Sequence, residues 1–146
     1  MTRNTNPSSL FNFDGSDCGL IFTKLKFPTS SYTFSTWLRF EKTSTSECYR
    51  IFSFYDDKGN SLELLFKNSR LMIQTIISGK IYRCTFNHFF QTNKWYSIQI
   101  SHLKNFIFSS ILKLYVDGDL KETSDFNYPY FYSELNFYHI GTNIPL

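Results

Sequence analysis

The chain has 146 residues, a net charge of +3 and an aromatic content of 20%. This length is enough for one domain with a hydrophobic core, and the aromatic content excludes a disordered chain. Lys and Arg are scattered singly, which excludes a basic stripe for nucleic acid. The sequence also contains no run of about 18 apolar residues, the length needed to span a bilayer. The sequence has no alanine, the best helix former, whereas its many Phe, Tyr, Ile and Thr residues favour strands.

The N-terminal residues 1–9 are polar, so we expect a flexible tail before a domain that covers residues 10–146. They lack the apolar stretch of a secretory signal. The cysteines are odd in number, widely spaced and form no CxxC pair, which predicts buried reduced thiols and favours a cytoplasmic protein. They are Cys18, Cys48 and Cys84.

Short apolar runs at residues 10–13 and 20–25 predict the first strands. Residues 32–41 then alternate between two faces, which predicts a strand with one buried face. The buried face is Phe34, Thr36, Leu38 and Phe40, and the other face is Ser35, Trp37, Arg39 and Glu41. Trp37 and Trp95 lie within alternating segments, and we expect both to be largely buried and structural.

Turn signals divide the rest of the chain into short strands. These signals lie at residues 56–60, 68–69, 78–79 and 117–118. Between the strands expected at 95–103 and 111–116 lies a detour that is too long for a simple hairpin. The last strand is expected at residues 135–140. About ten strands with regular turns predict an antiparallel sandwich or barrel without helix.

Four motifs in a fixed order resemble those of concanavalin A-like jelly-roll domains, the laminin-G and pentraxin architecture. They are "YTFSTW" at residues 32–37, "KWY" at 94–96, "LYVDG" at 114–118 and "IG" at 140–141. The resemblance implies an all-β, antiparallel, two-sheet jelly-roll sandwich. Domains of this kind continue past the "IG" pair, so the resemblance implies a domain that is incomplete at its C-terminus, with an exposed sheet edge at residues 135–140.

Within that architecture the chain is most similar to the concanavalin A-like domain of BEACH-containing proteins of the neurobeachin and beige type. His102 with the detour at 104–110, "FDGSDCGL" at 13–20 and "PTSSYTFSTW" at 28–37 carry this likeness. It implies a non-catalytic interaction module of a large cytoplasmic scaffold in vesicle trafficking or autophagy-like membrane processes. The expected partners are proteins, including the rest of a longer chain, with peripheral association to membranes as an option.

A carbohydrate-binding lectin domain is the alternative, and a degenerate glycanase is the third reading. Sugar binding needs an aromatic platform. Trp37, Tyr82 or the group Tyr128, Pro129 and Tyr130 could supply one. Glycanases of this fold need two carboxylates that alternate along a strand, and the chain has no ExDxE pattern, so we expect no catalytic residue and no enzyme activity. The acids considered are Glu47, Asp56, Asp57, Glu63 and Glu134.

The remaining polar residues predict structural roles. His88, His102 and His139 are far apart and surrounded by aromatics, so we expect structural histidines, with His139 facing inward. Calcium bound by loop carboxylates is a further alternative, but turn chemistry alone explains aspartates in turns. The turn aspartates are Asp14, Asp17, Asp56, Asp57, Asp117 and Asp119. We therefore expect no metal and no cofactor.

Overall fold

The part of the chain that the structure describes forms ten antiparallel strands, which confirms the predicted all-β sandwich. The computed structural model describes residues 13, 19–22, 25–42, 47–132, 135 and 137–141. Within these ranges there is no helix, and so no helix that could cross a membrane. The expected tail and nearly all of the strand expected at residues 10–13 lie outside the described residues, as do Asp14, Asp17, Cys18 and Glu134.

Two sheets face each other across one core. The strands are β1 (Leu20–Phe22), β2 (Ser31–Arg39), β3 (Tyr49–Tyr55), β4 (Ser61–Lys67), β5 (Arg70–Ile77), β6 (Lys80–Thr85), β7 (Trp95–Leu103), β8 (Ile111–Val116), β9 (Asp119–Asp125) and β10 (Phe137–Ile140). The six-stranded sheet has the order β1-β10-β3-β4-β5-β6, and the four-stranded sheet has the order β2-β7-β8-β9. Sequential hairpins build most of each sheet, whereas β10 and β2 reach partners that are far away in sequence.

Three of the predicted turns are two-residue hairpins. Both residues of each turn have positive φ, as at Asp117 (54°) and Gly118 (87°) between β8 and β9. Positive φ angles also occur at both residues of the 68–69 turn between β4 and β5 and of the 78–79 turn between β5 and β6. This backbone matches the right-handed twist of the flanking strands, which explains why Asn, Asp, Ser and Gly occupy these positions.

Aromatic and aliphatic side chains from both sheets fill the space between them. Phe34 of β2 lies 4.7 Å from Phe52 of β3, and Phe40 stacks on Phe66 of β4 at 3.7 Å between ring centroids. Ile98, Ile100, Leu112 and Leu114 of the four-stranded sheet are fully buried. The predicted inner face of residues 32–41 is thereby confirmed, because Phe34, Leu38 and Phe40 pack on this core.

The last strand is an interior strand of its sheet. β10 pairs with β1 on one side and β3 on the other, so an exposed edge at residues 135–140 was a wrong expectation. The N-terminal β1 provides the second neighbour, which no local pattern reveals. His139 lies opposite Ser53 while Tyr138 lies opposite Phe54 of the core, so His139 faces outward and the expected inward orientation is wrong. The C-terminal incompleteness of the domain stays a prediction.

We expect Phe66→Ala to lower the free energy of unfolding by about 3–5 kcal/mol, because it removes a fully buried ring that stacks on Phe40. Phe108→Ala is the matched control, since Phe108 is 75% exposed and its loss should change stability by about 0.5 kcal/mol or less. Urea unfolding followed by circular dichroism measures both. Equal losses for the two variants would contradict the described core.

Candidate binding surface

The outer face of the four-stranded sheet presents an exposed aromatic side chain in its edge strand. Trp37 is 65% exposed and lies opposite Ser97 of β7. The predicted burial of Trp37 is therefore wrong. Side chains alternate along a strand, and Leu38 at the next position packs on the core, so Trp37 has to point away from it.

The neighbours of Trp37 on this face are polar and aromatic. Strand register places Ser35 opposite Gln99, and Gln99 opposite Tyr115 of β8. Residues aligned in this way share one side of a sheet and lie within reach of the diagonal positions. We call the set Ser35, Trp37, Ser97, Gln99 and Tyr115 the Trp37 face. It combines two aromatic rings with one amide and three hydroxyl groups, one of which belongs to Tyr115.

Trp95 also lies at the surface, on the same side of the sheet as Trp37. It is 39% exposed and is the register partner of Arg39, whose guanidinium carbon lies 5.5 Å from the ring centroid. Arg39 in turn forms an ion pair with Glu41 at 2.8 Å. The expectation that Trp95 is largely buried is wrong, because a cation rather than the core contacts its ring. The Arg39 and Trp95 pair extends the exposed aromatic surface along β2 and β7.

His102 is sealed inside the core instead of facing this surface. Its Nε2 lies 3.1 Å from the Phe126 carbonyl, so Nε2 carries the proton, and its Nδ1 accepts from the Tyr32 hydroxyl at 3.2 Å. The ring is fully buried, and this burial lowers the pKa of His102 to about 4, although the Phe126 carbonyl opposes the shift. Burial also raises the pKa of the Tyr32 hydroxyl well above its usual value. Because His102 is neutral and makes two hydrogen bonds inside the core, we interpret it as a structural residue.

The outer face of the six-stranded sheet carries a buried polar network around Glu63. Its carboxylate accepts hydrogen bonds from the Tyr55 hydroxyl and from Gln74 Nε2 (2.6 Å) and forms an ion pair with Arg50 at 2.9 Å. Arg83 Nε extends the chain to Gln74 Oε1 at 2.6 Å. Burial, together with the bond to Glu63, raises the pKa of Tyr55 to about 12. Glu63 is thus held by several partners inside the protein, and sequence patterns did not reveal this network.

The turn aspartates that the structure describes have local partners. Asp56 accepts hydrogen bonds from the backbone N–H groups of Lys58, Asn60 and Tyr132 and from the Asn60 amide. Partial burial would raise the pKa of Asp56, but these bonds outweigh it and hold the pKa below its usual value. Asp117 caps Ser97 N–H at 2.9 Å. Across the described ranges, no group of three or more His, Cys, Asp or Glu side chains could hold a metal ion.

The other residues singled out in the sequence do not join one site. Tyr82 is half-buried against the core, and Tyr128 is buried with its hydroxyl on the Pro28 carbonyl at 3.0 Å. Cys48 and Cys84 are free thiols, but they are half-buried rather than fully buried. Burial raises the pKa of both, so both remain protonated and poorly reactive near neutral pH.

The sandwich architecture and the ordered motifs define the class of this protein. The family model described as the concanavalin A-like lectin/glucanases superfamily, of the laminin-G type, matches residues 14–144, so the chain belongs to that superfamily. Domains 4–5 of the mouse laminin α1 chain align over 84% of this chain and 31% of their own length at a TM-score of 0.64, with 10% identity. The receptor-binding domain of botulinum neurotoxin D aligns over 92% and 35% at a TM-score of 0.60, with 18% identity. These likenesses show the fold.

Curated relatives give a narrower comparison. The BEACH domain-containing protein lvsE of Dictyostelium discoideum is 32% identical over 99% of this chain. BEACH domain-containing protein B of Arabidopsis thaliana is 29% identical over 100% of it. This chain spans only 7% and 6% of the length of these two relatives, so the similarity concerns one segment of each of them.

We expect the stability of the fold to fall as the pH drops from about 6.5 towards 4. Unfolded chains bind a proton at His102 below pH 6.5, whereas the folded chain does not until about pH 4, a difference of about 3 kcal/mol. His102→Gln should flatten this part of the stability profile measured by urea unfolding at each pH. His88→Gln, at a partly exposed ring, should keep most of the slope. An unchanged slope in His102→Gln would contradict a neutral buried imidazole.

Trp37→Ala should change the free energy of unfolding by less than about 1 kcal/mol, because most of the indole is already in water. Leu38→Ala, one residue along the same strand, should cost about 2 kcal/mol or more, since it packs on the core. Thermal and urea unfolding of both variants test the orientation of β2. A larger loss for Trp37→Ala than for Leu38→Ala would reverse the assignment of the two faces.

Proposed function

We propose that this chain is a non-catalytic protein-interaction module of a BEACH-type scaffold and that the Trp37 face is its contact surface. The exposure of Trp37 is the observation that carries this proposal. A large indole held in water by a regular strand contributes little to the fold. The same ring contributes strongly when a partner covers it, which is why Trp, Tyr and Arg dominate the energetics of interfaces.

The composition of the surrounding surface supports a protein partner. Trp37, Tyr115, Arg39 and Trp95 lie on the same side of the sheet in neighbouring strands. The hydroxyl and amide groups between them offer hydrogen bonds to the backbone of a partner. The paired strands hold the backbone beneath these side chains in place, so binding there needs little ordering of the backbone, which favours affinity.

The polar groups in the interior support a role without catalysis. Glu63 is engaged by Tyr55, Gln74 and Arg50, and a carboxylate with these partners is poorly placed to act as acid or nucleophile. His102 is neutral and fully buried. We place the module in the cytoplasm, in vesicle trafficking or autophagy-like membrane processes, on its likeness to BEACH domain-containing proteins.

Carbohydrate binding is a second candidate for the same surface. Sugar sites use an aromatic platform with nearby amide and hydroxyl groups. Register places Ser97 opposite Trp37 and Gln99 diagonally beside it, with Ser35 two residues away along β2. The two candidates share the surface but differ in the ligand, so one set of variants separates them.

The test is affinity capture with the immobilised chain from cells that contain BEACH proteins, followed by quantitative mass spectrometry. The Trp37→Ser/Tyr115→Ser variant should lose the specific protein partners by about tenfold or more, as expected for interface hot spots. Ile81→Ser is the matched control, because Ile81 is 53% exposed on the other sheet; it should retain the partners.

A glycan array with the same three proteins distinguishes the alternative. The domain is a lectin rather than a protein-interaction module if two results are found together. The chain binds a sugar that Trp37→Ser/Tyr115→Ser no longer binds, and no protein partner depends on Trp37. Partners retained equally by all three proteins would show that the Trp37 face is not the contact surface.

A further inference from the structure

A second exposed apolar feature lies at one end of the sandwich, away from the Trp37 face. The loop between β7 and β8 meets the loop before β2 there, where Lys104 N–H donates to the Ser30 carbonyl at 2.8 Å. The segment after β9 joins them, and Tyr132 N–H donates to Asp56 of the β3–β4 turn at 3.2 Å. Loops from both sheets therefore form a single end surface.

Three consecutive large apolar side chains project from this end. Phe106 is 80% exposed, Ile107 is 84% exposed and Phe108 is 75% exposed, more than any other large hydrophobic side chain among the described residues. We call residues 106–108 the apolar tip. Other exposed apolar side chains at this end are Leu25, Leu103, Tyr130 and Tyr132. Such concentrated apolar exposure marks an interaction site rather than ordinary surface.

The loop is held in a shape that keeps the tip exposed. The side-chain oxygen of Asn105 accepts hydrogen bonds from the N–H groups of Ile107 (3.0 Å) and Phe108 (3.2 Å). The Asn105 N–H in turn donates to Ser110 Oγ at 3.2 Å. These bonds satisfy three N–H groups of the loop and stabilise a turn from which the three side chains project.

Lysine and tyrosine side chains lie next to the apolar tip at this end of the sandwich. Lys104 Nζ lies 5.1 Å from the Phe106 ring and 5.8 Å from that of Tyr130, and Lys58 Nζ lies 5.0 Å from that of Tyr132. Among the described residues, the other charged side chains at this end belong to Lys26, Lys80, Asp56, Asp57 and Asp125. Asp56 is buried in its turn, so the described part of this end exposes four lysines and two carboxylates.

We propose that the apolar tip inserts into the surface of a phospholipid bilayer that carries negative charge. A convex tip of Phe and Ile suits the acyl chains, whereas tyrosine rings and lysine ammonium groups suit the head-group layer behind it. The excess of lysines gives the charge complementarity to anionic lipids. The tip thus provides a membrane contact that is separate from the Trp37 face and leaves that face open to a partner.

The experiment is co-sedimentation of the 146-residue chain with vesicles of phosphatidylcholine that contain about a third phosphatidylserine. We expect binding that Phe106→Ser/Ile107→Ser/Phe108→Ser weakens by about tenfold or more, since membrane binding scales with buried apolar surface. The matched control, Phe89→Ser/Leu120→Ser, removes exposed apolar side chains elsewhere and should bind like the original chain. Pure phosphatidylcholine vesicles should bind more weakly.

Circular dichroism and thermal melting verify that the variants remain folded, since the substituted residues are exposed. Insertion depth gives a second readout: Ile107→Trp in a Trp37→Phe/Trp95→Phe background should shift its emission to the blue on vesicles and be quenched by brominated acyl chains. The proposal is overturned if the chain does not co-sediment with these vesicles or if the triple variant binds them as well as the original chain does. It is also overturned if the triple variant changes only the self-association of the chain, measured by ultracentrifugation.

Discussion

The contact between aromatic rings of the two sheets is the interaction on which the rest of this structure depends. Phe34 of β2 and Phe40, just after β2, meet Phe52 and Phe66 of the six-stranded sheet, so these rings fill the space between the layers. Large rings fill this space in a chain that has no alanine and a single valine. This packing fixes which side of each strand faces water.

The Trp37 face is the direct consequence of that packing. Once Leu38 turns to the core, the period of two forces Trp37 outward and aligns it with the polar residues of β7. The apolar tip arises differently, from a loop that has no place in either sheet and is fixed by Asn105. A sheet face and a projecting loop thus give one small domain two separate exposed surfaces that contain aromatic side chains.

Buried polar groups in this domain connect neighbouring strands to one another. His102 bridges Tyr32 of β2 and the Phe126 carbonyl after β9, and the Glu63 network joins β3, β4 and β5. Each partner satisfies the others, since an unpaired buried polar group is costly. These bonds oppose a shift of the strands relative to one another, because a shift would leave buried polar groups without partners.

The sequence by itself determined the strands, the two-residue turns at 68–69, 78–79 and 117–118, and the inner face of β2, because alternation and positive-φ residues act locally. The ordered motifs also determined the family. Only the tertiary structure decided that β10 lies between β1 and β3, that Trp37 is exposed and that His139 faces outward. Strand order depends on contacts between distant segments, and the burial of a given ring depends on which sheet covers it. Local sequence patterns therefore predict neither of them.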